Sequence, residues 1–337
     1  MRTMSFDLEE TRLKEEIRKR KPKIVFLQLP EGLKPAAPHL ASIVEEAGAL
    51  PIVSSDPCYG ACDLPISEAK LLDADLIVHY GHTPMTLNTE LPVIYVEARA
   101  KIGIKEALTK ALPFLESWNK IGLVTTVQHV HQLDEAKKML EAAGKTVFVG
   151  NADSTKHPGQ VIGCDFGNAQ SVSEEVEAFL FVGGGRFHAM GVALATGKPT
   201  IIADPYEELA YPIHNDARRV IMQRWGNISE AKEAKRFGVL ISLKSGQMRL
   251  RAALDIKEKL ERNGRKATLL ALREVTPSAL MQFPTLDAFV NTACPRLSLD
   301  DAPNYSKPLL YLNEALVLLG EMTWEELLRR GWFGNAT

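Results

Sequence analysis

Three times along this 337-residue chain, a continuous apolar run is followed by a turn, a helix-like segment, a glycine and a second apolar run. The first copy is Lys23–Leu29, a turn at Pro30-Glu31-Gly32, a helix to Ala47, Gly48, and a strand at Ile52–Ser54. The second is Lys120–Thr126, a polar loop Val127–Gln132, a helix Leu133–Ala143, Gly144, and a strand Thr146–Val149. The third is Phe237–Ser242, a turn Leu243–Gln247, a helix Met248–Asn263, Gly264, and a strand Lys266–Ala271. Unbroken apolar runs mark strands covered on both faces, and glycine is the residue that ends helices in a left-handed turn. A closing strand recurs at Ala74–His79, Ala178–Val182 and Ala288–Thr292. Repetition of strand–helix–strand units predicts an α/β fold of three related small α/β domains with parallel sheets. The expected spans are 1–110, 111–225 and 226–337, with boundaries in the charged helical stretches 100–118 and 212–235. Asp7 followed by Glu10 is expected to cap a charged helix through Arg20.

In such units ligands gather outside the carboxyl ends of the strands. Three of the four cysteines, Cys62, Cys164 and Cys294, sit there, one per unit, beside Gly, Ala or Pro. Taken alone, they read as three unrelated buried thiols, since free cysteine is among the most buried residue types. Their placement, one per repeat, opens another reading. Three thiolates meeting at one point suit a four-iron cluster that keeps one iron free for substrate. A zinc site would need a fourth Cys or His. Cys58 makes Cys-x3-Cys with Cys62; it is either half of a local metal pair or a spectator thiol, the favoured reading.

Other polar residues cluster at the same strand ends. Each unit has a glutamine after or near its first strand, at Gln28, Gln128 and Gln247, and Gln160 precedes Cys164 by four residues. The histidines His79, His82, His129, His131 and His188 are suited to hydrogen-bonding a ligand or moving a proton; satisfying backbone groups in turns is the competing role. Gly183 and Gly184 belong to a triple-glycine turn without the Lys-Ser/Thr ending of a phosphate loop, which leaves close backbone approach to a ligand. Arg296, two residues after Cys294, can fork onto the carboxylate of an amino-acid-like substrate.

A net charge of −2 gives no global field for nucleic acid or an anionic membrane. No apolar run approaches the ~20 residues of a membrane span, and the acidic start lacks the apolar region of a signal peptide. The expected compartment is the cytoplasm, where thiols stay reduced.

Six stretches in order resemble one family: Tyr-Gly-Ala-Cys-Asp at 59–63, His-Tyr-Gly-His at 79–82, Thr-Thr-x-Gln-His-x-His-Gln at 125–132, Pro-Gly-Gln-Val-Ile-Gly-Cys at 158–164, Lys-x-Gly-Gln at 244–247 and Ala-Cys-Pro-Arg at 293–296. They resemble the archaeal diphthamide-biosynthesis enzymes from about residue 20 to residue 310. The resemblance implies three α/β domains around a central [4Fe-4S] cluster held by Cys62, Cys164 and Cys294. It implies transfer of the 3-amino-3-carboxypropyl group of S-adenosylmethionine to C2 of a histidine imidazole in translation elongation factor 2, by a radical route that releases methylthioadenosine. Gln128, His129, Gln160, Gly183, Gly184, Gln247, Arg296 and His82 are the candidate contacts for S-adenosylmethionine. A homodimer and an electron donor for the cluster are implied as well. Cys58 departs from the family's ligand pattern, and the Tyr-Gly-Ala-Cys frame favours Cys62 as ligand.

Two other readings compete. Quinolinate synthase and the terminal isoprenoid reductase are similar three-unit proteins with one cysteine per unit, whose cluster acts on a small molecule. A non-catalytic binding protein with inert thiols is the third.

Overall fold

Each of the three units lays down its first four strands in the same spatial order, second-first-third-fourth, with a helix between the first strand and the second. The computed structural model describes residues 6–85, 89–152 and 155–333, so the outermost residues of the first and third expected spans lie outside it. A short strand β1 (Phe6–Asp7) precedes the first sheet, formed by β2 (Ile24–Gln28), β3 (Leu50–Val53), β4 (Leu76–Tyr80) and β5 (Val93–Val96). Its order is β3-β2-β4-β5, all parallel, and β6 (Arg99–Ala100) pairs back antiparallel on β1. The second sheet contains β7 (Lys120–Thr125), β8 (Thr146–Phe148), β9 (Ala178–Val182), β10 (Thr200–Asp204) and β11 (Leu209–Pro212). Its order is β8-β7-β9-β10-β11, with only β11 antiparallel. The third sheet, β13-β12-β14-β15, joins β12 (Arg236–Ser242), β13 (Lys266–Leu272), β14 (Ala288–Asn291) and β15 (Leu309–Tyr311), all parallel.

The apolar runs behave as their composition requires. Val25–Gln28, Leu76–Tyr80, Ile121–Thr125, Ala178–Val182 and Phe237–Ser242 are buried throughout, covered by helices on both faces. Gly48, Gly144 and Gly264 follow the helix that leads from the first sheet strand to the second in each unit, with φ of 96°, 81° and 76°, the left-handed turn that the sequence assigns to them.

One repeated device escaped the sequence reading. The acid that immediately precedes each unit's third strand, or begins its approach, accepts the backbone N–H groups that open the first strand. Asp75 takes those of Lys23 and Ile24 (2.7 and 3.0 Å), Glu177 those of Asn119 and Lys120 (2.6 and 2.8 Å), and Asp287 those of Lys235 and Arg236 (3.1 and 2.8 Å). These bonds hold all three carboxyls below their ordinary range; at Asp287 the Arg236 side chain adds most and brings it to about 2.

The expected cap at the first helix is corrected. The helix Glu10–Arg20 has no side-chain cap, because Glu9 is left-handed (φ 51°) and Asp7 turns its oxygen onto the Glu9 N–H at 3.1 Å. The polar loop after β7 contains a 3₁₀ turn at Val130–Gln132.

Helices also tie the units together. The helix Lys105–Ala111 crosses residue 110, and Ala107, Leu108 and Ala111 pack under the second sheet with Leu123 and Ile201. The helix His214–Glu230 crosses residue 225 and carries Arg224 to Glu314 of the third unit. Farther on, Leu327, Trp332 and Phe333 join the core of the second unit with Phe166 and Leu194. No described helix is long and apolar enough to cross a membrane.

Candidate functional site

The carboxyl ends of the three sheets face one cavity of about 630 Å³, and Cys62, Cys164 and Cys294 all line it. Each thiol is delivered by a different local device. Cys62 lies in the 3₁₀ turn Ala61–Asp63 beyond β3. Cys164 sits in a tight turn closed by reciprocal backbone bonds between Ile162 and Asp165 (3.1 and 3.2 Å). Cys294 caps the helix Pro295–Leu299, and Asn291 at the end of β14 holds its carbonyl at 2.7 Å.

These three thiols are partly exposed, whereas Cys58 is buried and does not line the cavity. Burial pushes all three up, Cys164 to about 12 and Cys294 to about 11. Each of these two also feels Cys62, and Cys164 feels Cys294, as thiols converging on one place must. The site therefore holds neutral thiols until something cationic takes them as thiolates.

A loop of the third unit clasps the Cys62 turn of the first. Gly246 N donates to the Cys62 carbonyl at 2.8 Å, and Gln247 Nε2 donates to Cys62 Sγ at 3.3 Å. Lys244, 5% exposed, bridges Asp63 (3.1 Å) and Glu274 (2.8 Å), and its ammonium stands 3.9 Å above the Tyr59 ring. Lys244 and Glu274 were not singled out from sequence; the only signal was that Lys244 opens the Lys-x-Gly-Gln stretch.

Arg296, also in the cavity lining, is 5% exposed. Its guanidinium lies 3.8 Å over the Phe187 ring, Nη2 donates to the Phe187 carbonyl (2.8 Å), and Nε contacts Asp300 (2.5 Å). Nη1 has no partner among the described residues. A buried cation with an idle donor is a site waiting for an acceptor. Asp300 and Asp301 line the same part of the cavity, and burial raises both carboxyls against the pull of Arg296.

The first unit contributes a polar file. Gln28 Nε2 donates to the Asp63 carbonyl (2.7 Å), His79 Nδ1 lies 2.7 Å from Gln28 Oε1, and His79 Nε2 lies 3.0 Å from His82 Nδ1. Burial holds His79 well below the usual histidine range and His82 down to about 4, so both are neutral. His188, stacked on Phe181, is likewise pushed down to about 3 by burial.

Of the residues singled out from sequence, His82, Gln128, Gln160, His188, Gln247 and Arg296 line the cavity with the three cysteines. Gln128 anchors on the Gly81 carbonyl (2.7 Å), and Gln160 donates to Thr83 Oγ1 (2.8 Å). The structure does not bring His129, Gly183 or Gly184 to the cavity wall. Both nitrogens of His129 are already engaged, by Gln132 (2.8 Å) and Tyr206 (3.1 Å). The glycine turn serves packing: a Cβ on Gly184 would meet the Tyr206 ring at 2.8 Å and one on Gly183 the Phe181 ring at 2.9 Å. Asp204 completes that turn by accepting the Gly185 N–H at 2.9 Å.

Comparison with known proteins agrees along most of the chain. A family model of diphthamide synthesis proteins matches residues 29–328. The 2-(3-amino-3-carboxypropyl)histidine synthase of Pyrococcus horikoshii is 39% identical over 330 residues, covering 96% of this chain and 95% of that protein. Subunit 1 of the human enzyme of the same name is 33% identical over 316 residues, 92% of this chain and 71% of its own. The crystal structure of Dph2 from Pyrococcus horikoshii with a 4Fe-4S cluster superposes with a TM-score of 0.87 at 38% identity, covering 95% of this chain and 93% of that one. With a family match over most of its length and a relative alike end to end, this chain belongs to the diphthamide synthesis protein family.

Proposed function

We propose that this chain is a 2-(3-amino-3-carboxypropyl)histidine synthase. It transfers the 3-amino-3-carboxypropyl group of S-adenosylmethionine to C2 of a histidine imidazole in translation elongation factor 2, by a radical route that releases methylthioadenosine. The observation that carries this reading is the convergence of three thiols, one from each sheet, on one cavity beside a buried arginine with a free donor.

The residues fit a [4Fe-4S] cofactor. Cys62, Cys164 and Cys294 would hold it, and the Gln247 N–H already directed at Cys62 Sγ is the kind of hydrogen bond that tunes such a centre. When bound through three thiolates, the group supplies an open iron and an electron, the chemistry that cleavage of a sulfonium carbon–sulfur bond needs. Within the protein, Arg296 binds the carboxylate of S-adenosylmethionine through Nη1, and Asp300 and Asp301 receive its ammonium. Phe187 keeps the guanidinium flat and dry, which strengthens that grip.

We assign the spans 1–110, 111–225 and 226–337 as the three domains, each holding one of the thiols. The further partners we assign are a second copy of the chain and an electron donor, in the cytoplasm. Exposed Met222 and Trp225 on the helix His214–Glu230 support a second copy.

The test is anaerobic reconstitution followed by reduction with S-adenosylmethionine labelled in the aminocarboxypropyl carbons and elongation factor 2. Label on one histidine with equimolar methylthioadenosine is the expected result. Methylthioadenosine without labelled protein, or neither product from an iron-loaded chain, refutes the reading.

A further inference from the structure

The polar file that starts at Gln28 ends in the cavity, and the direction of every hydrogen bond along it is forced. The Asp63 carbonyl oxygen can only accept, so Gln28 faces it with Nε2 and turns Oε1 to His79. His79 Nδ1 therefore carries its proton. A neutral imidazole protonated at Nδ1 has a bare lone pair at Nε2, and that atom lies 3.0 Å from His82 Nδ1. His82 Nδ1 in turn donates, sharing its N–H with the Tyr80 carbonyl at 3.2 Å. What remains is His82 Nε2, across the ring, as a lone-pair acceptor. Gln28 and His79 are buried (3% and 0% exposed), whereas His82 lines the cavity.

We propose that His82 Nε2 accepts an N–H of the acceptor imidazole and so sets the ring's orientation for substitution at C2, with Gln28 and His79 as positioning residues that fix its tautomer. The proposal rests on the transferase reading above. Two N–H donors enter this cavity under that reading, and the charges of its walls tell them apart. The ammonium of S-adenosylmethionine belongs beside Asp300 and Asp301, within reach of the Arg296 that takes the neighbouring carboxylate. The neighbours of His82 are Gly60, the neutral histidines His79 and His188 and the neutral thiol of Cys58, and no carboxylate acts on it. These surroundings suit a neutral N–H donor, which an imidazole is. C2 lies between the two ring nitrogens, so fixing one N–H aims C2, while both nitrogens are left unmodified.

Nitrogen NMR of the cluster-free protein labelled in histidine tests the tautomer directly: His82 is expected as Nδ1–H with an unprotonated Nε2. His79→Leu abolishes that signature, and His79→Gln keeps it, because a glutamine there can donate to Gln28 and accept from His82. In steady state, His82→Ala raises KM for elongation factor 2 by about 3- to 10-fold, one neutral hydrogen bond. It leaves KM for S-adenosylmethionine within twofold. His79→Leu moves the same constant and His79→Gln restores it. An Nε2–H tautomer in a wild-type protein that transfers normally overturns the His82 proposal alone, as does a rise in KM confined to S-adenosylmethionine. No transfer by iron-loaded wild type overturns the transferase reading and the role of His82 with it.

Discussion

Gly246 lets the third unit lie against the backbone of the first at the Cys62 turn, and Gly246→Ala measures how much the site depends on that approach. A Cβ at 246 would stand 2.6 Å from Cys62 Cα, 2.9 Å from its carbonyl oxygen and 3.0 Å from its Cβ. Ordinary contact begins near 3.4 Å, so the two loops must part by roughly 0.8 Å. The obstacle is backbone, with no flexible side chain to swing aside. Overpacking of this kind costs about 1–3 kcal/mol. The separation also weakens the Gly246 N–H bond to Cys62 O and the Gln247 bond to Cys62 Sγ, and losing such support around a ligand lowers metal affinity by about 10- to 100-fold. The assay is iron and sulfide content after anaerobic reconstitution at limiting iron, beside the urea midpoint of the same preparation. Gly226→Ala is the control, since a Cβ there meets nothing within 4 Å and sits in a helix; it gains about 0.5–1 kcal/mol. Wild-type iron content at an unchanged midpoint in Gly246→Ala would refute the reasoning.

Three further outcomes are expected. Cys62→Ala, Cys164→Ala and Cys294→Ala each lose iron on reconstitution while Cys58→Ala keeps it; loss in Cys58→Ala with retention in Cys62→Ala reverses the ligand assignment. Glu314→Gln breaks the fully buried pair with Arg224 (2.7 Å from Nε) and weakens the partner of Trp332 Nε1, costing about 3–5 kcal/mol in denaturant titration. Glu97 is 6% exposed: burial opposes its charge, yet hydrogen bonds from Lys156, His157 and Arg99 win and hold it at about 2 instead of 4.5. A carboxyl depressed on folding contributes above its unfolded value and loses that contribution as pH falls toward the folded one. Wild type should therefore shed up to about 3 kcal/mol between pH 4.5 and 2, and Glu97→Gln should lack that acid limb.

The repeated units were legible because they rest on local signals. Unbroken apolar runs and terminal glycines report burial and helix ends wherever they occur, as Gly48, Gly144 and Gly264 do. The thiols were legible as one per unit, and the carboxyl-end rule gave them a meeting place. What stayed hidden was set by contacts between distant segments. His129 looked as available as His82, but Tyr206, 77 residues away, occupies it. Gly184 looked like a ligand loop, but the same tyrosine packs on it. Lys244 opened a recognisable stretch, but its role depends on Asp63 and Glu274, which reach it from distant segments. Asp75, Glu177 and Asp287 had the repeat's period and were missed because single acids at strand approaches carry no pattern by themselves.

The packing of Leu327, Trp332 and Phe333 into the second unit has a consequence for how the protein is made. Domains emerging from the ribosome fold from the amino end onward, yet the core around Phe166 and Leu194 stays unfinished until a segment more than a hundred residues downstream arrives. Phe333 then packs at a tilt against Phe166, ring centroids 4.6 Å apart, two residues from Cys164 in sequence. The turn that carries the second thiol thus receives its backing last, after Cys294 has been synthesised.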